Sequence, residues 1–162
     1  MQHILITFSA SLLLWFMYAG LLFLWLVDGR IKKEQVIHAL IISFTAWVFA
    51  EILKQIIHTQ RPFIVNGLTP LTITVPGVNN GSFPSNHSAT AFSLATAIWL
   101  HDRKIGWIYL FFALCIGTSR VLAYVHYPVD ILGGALLGIL TAFAFEKIHF
   151  FKLFGRGLPR VR

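Results

Sequence analysis

IGWIYLFFALCIGTSRVLAYVHYPVD, residues 105–130, is an apolar run that ends in Ser119, Arg120, His126 and Asp130. Its first part, residues 105–123, nearly reaches the roughly 20 residues a helix needs to cross about 30 Å of hydrocarbon. Arg120 lies near the end of that run, and ionisable groups in a membrane helix are costly enough to mark function by default. The stretch therefore reads as a spanning helix that delivers charged and titratable groups to a water boundary.

Hydrophobic residues make up 57% of the 162 residues and charged ones 12%, a balance that points to lipid as the solvent. Residues 4–27 and 36–57 exceed the length of a span and residues 131–150 reach it. Residues 87–100 are short, but they open with His87, Ser88, Thr90 and Ser93, which suits a helix that starts inside a protein-lined pocket. Residues 4–27 are too long for the apolar core of a secretory signal, lack a basic start and offer no cleavage site, so they read as a retained span. With no internal repeat, low-complexity tract or long linker, the expectation is one all-α domain over residues 1–162, a polytopic membrane bundle of about five transmembrane helices.

Basic residues orient it. Arg30, Lys32 and Lys33 lie between the first two runs, Arg103 and Lys104 between the third and fourth, and Lys147, Lys152, Arg156, Arg160 and Arg162 after the last. Threaded as five spans, these clusters share one side, the cytoplasmic one. Only Lys54, Arg61 and Arg120 remain near the outer side. The net charge of +7 is thus mostly a topology signal, helped by anionic membrane lipid, and implies no nucleic-acid partner. Cys115 is the lone cysteine, which excludes an intrachain disulfide and a thiolate metal site. No feature sets an oligomeric state.

The connection from Pro62 to Asn86 carries Pro70, Pro76-Gly77, Asn79-Asn80-Gly81 and Pro84, too many breakers for a continuous helix. Leu68, Leu71, Ile73 and Val75 alternate with Thr and Pro, as a lip over a pocket, a short strand or a plain loop would.

Lys54 and Arg61 are seven apart, so on one α-helix they return to nearly the same face about 10 Å apart, a gap a Lys side chain largely closes. Taken singly they are a snorkelling lysine and an interfacial arginine. Glu51, one turn below, is a simple ion-pair partner for Lys54, and His58 reads as packed or hydrated. Ser85, in Pro84-Ser85-Asn86-His87, is an N-cap, and the first-turn amides behind it form an anion cradle. His87 needs a polar partner at such a helix mouth and, beside phosphate, would hold a proton for transfer. Ser88 and Thr90 suit helix-to-backbone or interhelical hydrogen bonds. Arg120 offers a planar fork of donors for phosphate oxygens, whereas Ser119 suits a bond to its own backbone. Pro128 fits the first turn of the last helix. Asp130 is either a capping acid or the acceptor that fixes the His126 tautomer, leaving the other ring nitrogen free to attack phosphorus. Gly134 and Gly138 have the small-xxx-small spacing of close helix packing.

Lys-x6-Arg-Pro, Pro-Ser-x-His and Ser-Arg-x5-His-x3-Asp, in that order over residues 54–138, resemble the signature of the type 2 phosphatidic acid phosphatase superfamily, membrane phosphatases related to vanadium haloperoxidases. The resemblance implies that Lys54, Arg61, Ser85, Asn86 and Arg120 hold phosphate, that His126 becomes a phosphohistidine supported by Asp130, and that His87 protonates the leaving oxygen. It implies no metal or other cofactor. Asn86 stands where the family usually has Gly; Asn tolerates left-handed backbone better than most residues, which would keep the cradle. Familiar members have six spans, and the one missing from this count would precede residue 4. The expected substrate is a lipid phosphate or diphosphate at the extracytoplasmic face of the cell membrane. Undecaprenyl diphosphate ranks first, phosphatidylglycerophosphate or phosphatidate second, lipid A third. An anion transporter is the rival of another class, but it calls for polar groups deeper in the membrane and usually a repeat.

Overall fold

The computed structural model describes residues 2–28, 33–72 and 81–146. Among them the helices are α1 (Gln2–Ser11), α2 (Leu13–Phe23) with a π-helical turn at Leu24–Asp28, α3 (Lys33–Ile56), α4 (Pro62–Asn66), α5 (Asn86–His101), α6 (Arg103–Leu122) and α7 (Pro128–Glu146). The basic clusters at Arg30 and Lys32, and from Lys147 onward, lie outside the described residues, as do Ile73 and Val75 of the long connection.

The helices are polar or small inward and large and apolar outward, the pattern expected where the surroundings are lipid and close packing replaces the hydrophobic drive. On α7, Asp130, Gly134, Gly138, Thr141 and Ala142 are buried, while Leu132, Leu136, Leu140 and Phe143 are exposed. Helices α3, α6 and α7 are each long and apolar enough to cross a membrane.

Helix α5 is different. At 16 residues it is shorter than a span, and Ser88 through Ala95, Ala97 and Ile98 are all buried. It is the central helix, packed by α3, α6 and α7. Its Ala and Ser residues permit that crowding. At Gly138 an added Cβ would strike the Ala89 carbonyl and come within 2.9 Å of the Ser93 amide nitrogen; at Gly134 it would meet the backbone of Ser85 and the side chain of Ser88. The close helix approach expected from these two glycines is found.

Residues 4–27 do not form one straight helix. The segments His3–Ser11 and Leu13–Leu26 meet at 55°, with no Pro or Gly at the break. The cause is a distant side chain, since Arg120 Nη1 donates to the Ala10 carbonyl at 2.9 Å, an oxygen that a continuous helix would pair with the amide four residues on. Thr7 Oγ1 donates to the Leu71 carbonyl at 3.1 Å, which ties α1 to the start of the long connection. Three full-length helices and this bent pair account for up to four crossings; the count of five includes the short central helix.

Candidate functional site

Four helix ends meet at one end of the bundle: the last turns of α3 and α6 and the first turns of α5 and α7. Lys54, Arg61, Asn86, His87, Arg120 and His126 line a single cavity of about 700 Å³. The remaining two residues of the constellation, Ser85 and Asp130, are fully buried behind it.

Lys54 and Arg61 do not share a helix. Helix α3 ends at Ile56, and Arg61 has ψ 148°, extended, as the N-cap of α4 with Pro62 behind it. The proline ring disfavours helical backbone at the residue before it. The two cations converge because the chain turns between them, with Gln60 bridged to Gly81. Lys54 is only 4% exposed, and its Nζ donates to Asn86 Oδ1 at 2.8 Å. Asn86 Nδ2 in turn donates to Glu51 Oε2 at 2.7 Å. Asn86 lies in the first turn of α5, so its backbone has no need of the left-handed region. His58 is exposed.

Ser85 caps α5 by accepting from the Ser88 amide, at a long 3.4 Å. Ser88 Oγ donates to Ser85 Oγ at 3.2 Å. Thr90 makes neither the backbone nor the interhelical hydrogen bond that its place on the helix suggests. Its Oγ1 and Arg120 Nε are buried without a hydrogen-bond partner among the described residues, and both residues line the cavity. Orphaned buried polar groups are rare and costly, and here both can donate to an oxygen-rich ligand. Arg120 gives its Nη1 to Ala10 and, at 3.4 Å, to Thr72, so part of its fork serves the protein. Ser119 Oγ bonds back to the Ile116 carbonyl at 2.8 Å.

Behind the cavity, Asp130 Oδ2 accepts from His126 Nδ1 at 3.3 Å, from the Tyr127 amide at 2.7 Å and from the Ser82 hydroxyl. With Nδ1 donating, the Nε2 of a neutral His126 carries its lone pair. Ser82 had no signal in the sequence; its role follows from the fold bringing the loop before α5 against the start of α7. Burial pushes the His126 imidazole down from 6.5 to about 4, against the Asp130 hydrogen bond, with Arg120 and Arg61 adding to the depression. An unfolded chain takes up this proton as pH falls past 6.5, the folded one only near 4, so acidification across that window destabilises the fold. Burial also holds the His87 imidazole well below its ordinary value, so thermal melts in detergent should show this fall, and His126→Gln should reduce it without removing the part that His87 contributes.

The cavity does not stop at the charged residues. It continues along a groove between α2 and α3, walled by Leu14, Trp15, Leu22, Leu40, Phe44 and Trp47. Tyr18 crosses the groove to donate to Ser43 Oγ at 3.1 Å. Among the described residues, no group of three or more His, Cys, Asp or Glu suits a metal ion.

Comparison with known proteins agrees with this construction. A bacitracin transport permease protein, BcrC, of Bacillus licheniformis is 33% identical over 88% of this chain and 69% of its own length. Undecaprenyl-diphosphatase BcrC of Bacillus subtilis is 32% identical over 78% of this chain and 64% of its own. Other relatives are named lipid A phosphatases. The crystal structure of Aquifex aeolicus LpxE superposes with a TM-score of 0.67 at 30% identity, covering 82% of this chain and 77% of that one. This chain thus spans about two thirds of the length of the first two relatives. The PAP2 superfamily model matches residues 34–153, the part of the chain that contains every charged side chain of the cavity, and on that match the chain belongs to the PAP2 superfamily of phosphatases.

Proposed function

We propose that the protein is a lipid phosphatase of the cell membrane, acting as one membrane domain on a phosphate or diphosphate ester at the extracytoplasmic face. The observation that carries this reading is the continuity of the cationic chamber with the apolar groove. A head group seated among Lys54, Arg61 and Arg120 leaves its hydrocarbon tail between α2 and α3, whereas a soluble sugar phosphate would have no use for that groove. Undecaprenyl diphosphate is the preferred substrate, supported by the relative that bears that activity in its name. Lipid A is the second reading, supported by the relatives named for it.

In the proposed reaction His126 Nε2 attacks phosphorus, the N–P bond forms and the P–O bond to the leaving group breaks. His87 gives its proton to the departing oxygen. Asp130 holds the Nδ1 proton and stabilises the charge that His126 acquires. Lys54, Arg61, Ser85, Asn86 and Arg120 hold the phosphoryl oxygens, on which charge gathers in the transition state. Water then attacks the phosphohistidine, His87 takes its proton, and inorganic phosphate leaves.

Phosphate release by detergent-purified protein in the presence of a chelator tests the reading on undecaprenyl diphosphate, lipid A, phosphatidylglycerophosphate and phosphatidate. Turnover should be fastest on the first and should be blocked by orthovanadate, which copies the five-coordinate phosphorus. Silence on all four would sink the proposal and favour a carrier of anions.

A further inference from the structure

Glu51 lies one helical turn before Lys54 on α3 and accepts a hydrogen bond from Asn86, which lines a cavity that must attract an anion. A carboxylate there opposes phosphate binding through space. The hydrogen bonds give it a compensating use. Its oxygens only accept and the Lys54 ammonium only donates, so the amide between them has one orientation that satisfies both: Asn86 Nδ2 to Glu51 at 2.7 Å and Asn86 Oδ1 to Lys54 at 2.8 Å. A glycine at position 86 could not make either side-chain bond. A carboxylate there would face Glu51 with like charge.

Space reinforces the bridge. The Lys54 stem runs against Gly81, where an added Cβ would collide with Cγ of the lysine and come within 3.1 Å of its Cδ. Its ammonium end is held by the amide. The side chain is thus fixed along its length, and long Lys side chains otherwise lose considerable freedom on being ordered.

We propose that Glu51 is a positioning residue: through the side chain of Asn86 it holds the Lys54 ammonium in place for the substrate's phosphate. This rests on the phosphatase reading for the identity of the ligand, but it is tested by anion binding as well as by turnover.

The sign of one substitution decides. If Glu51 were a bystander, Glu51→Gln would remove a repulsive charge and tighten inorganic phosphate. If it positions Lys54, the glutamine amide, able to donate as well as accept, no longer fixes the Asn86 orientation, and phosphate binding weakens by roughly tenfold, the scale of a hydrogen bond to a charged group. The measurement is the phosphate concentration that half-protects purified protein in a thermal melt, taken alongside kcat/KM on the lipid substrate. The pair Asn86→Gly and Asn86→Gly/Glu51→Gln completes a double-mutant cycle. In the Asn86→Gly background the bridge is absent, and Glu51→Gln should leave phosphate affinity unchanged or tighter. Weakening of equal size in both backgrounds would overturn the inference, as would tighter or unchanged binding on Glu51→Gln alone, or a wild-type protein that phosphate does not protect. If Glu51→Gln alone is too unstable to purify, Glu51→Asp serves: its shorter arm should weaken phosphate only while Asn86 is present, and an equal effect in both backgrounds counts against the bridge. Should the protein bind phosphate with this pattern yet release none from any lipid, the phosphatase reading fails while the positioning role of Glu51 stands.

Discussion

His126→Ala is expected to abolish phosphate release, by roughly 10⁴-fold or more as for the loss of a covalent nucleophile, in a protein that still folds and inserts. Quenched single-turnover reactions with radiolabelled lipid diphosphate provide the check. Wild-type protein should carry acid-labile, base-stable phosphate, and the variant none. Asp130→Asn should be damaging for a separate reason. Asp130 Oδ2 accepts from His126, Ser82 and the Tyr127 amide, and an amide placed there can turn an N–H toward groups that are themselves donors. The imidazole would lose the partner that sets its tautomer. Full turnover by His126→Ala would end the proposed mechanism.

The second large effect is on the fold. Gly138→Val should destabilise by about 3 kcal/mol or more, the upper end for overpacking, because its Cβ would meet backbone of the central helix, the Ala89 carbonyl and the Ser93 nitrogen, which cannot swing aside. The site would suffer with it, since α5 carries Asn86 and His87 behind its Ser85 cap and α7 carries Asp130. Loss of the monodisperse peak in detergent size-exclusion, with a lowered melting temperature, is the readout. Gly133→Ala is the comparison. The three atoms nearest its Cβ all belong to the Phe83 ring, a side chain able to turn, so its loss should be the smaller. Equal stability of the two variants would show that the α5–α7 contact is less tight than described.

Much of this is legible in the sequence. Threading the apolar runs as successive spans puts Lys54, Arg61, Ser85, His87, Arg120 and His126 at one end of the bundle, and the structure brings these six together there. The Ser85 cap, the His126–Asp130 hydrogen bond and the Gly134 and Gly138 contacts follow from local rules of spacing and so were readable. The bend after Ser11 was not, because its cause sits 110 residues away in Arg120 and no breaker marks it. A period of seven fits an α-helix and suggests one helix for Lys54 and Arg61; the proline after Arg61 is the contrary signal, and Arg61 is extended. Ser82, Thr90 and the Glu51–Asn86 bond were invisible for a common reason. Each depends on whether a rotamer meets a partner across the bundle, as Ser82 and Glu51 do and Thr90 does not, and sequence spacing does not encode that.

The guanidinium that completes the chamber rests on an oxygen from the first helix. Closing so long a stretch of chain carries an entropic cost that only late, non-local contacts repay. The chamber is therefore finished only once the earliest and the penultimate helix of the described chain have met. A chain whose first helix has gone astray in the bilayer keeps its other parts but holds Arg120 without its anchor. Competence for chemistry thereby doubles as a mark of correct assembly, with the same side chain reading both.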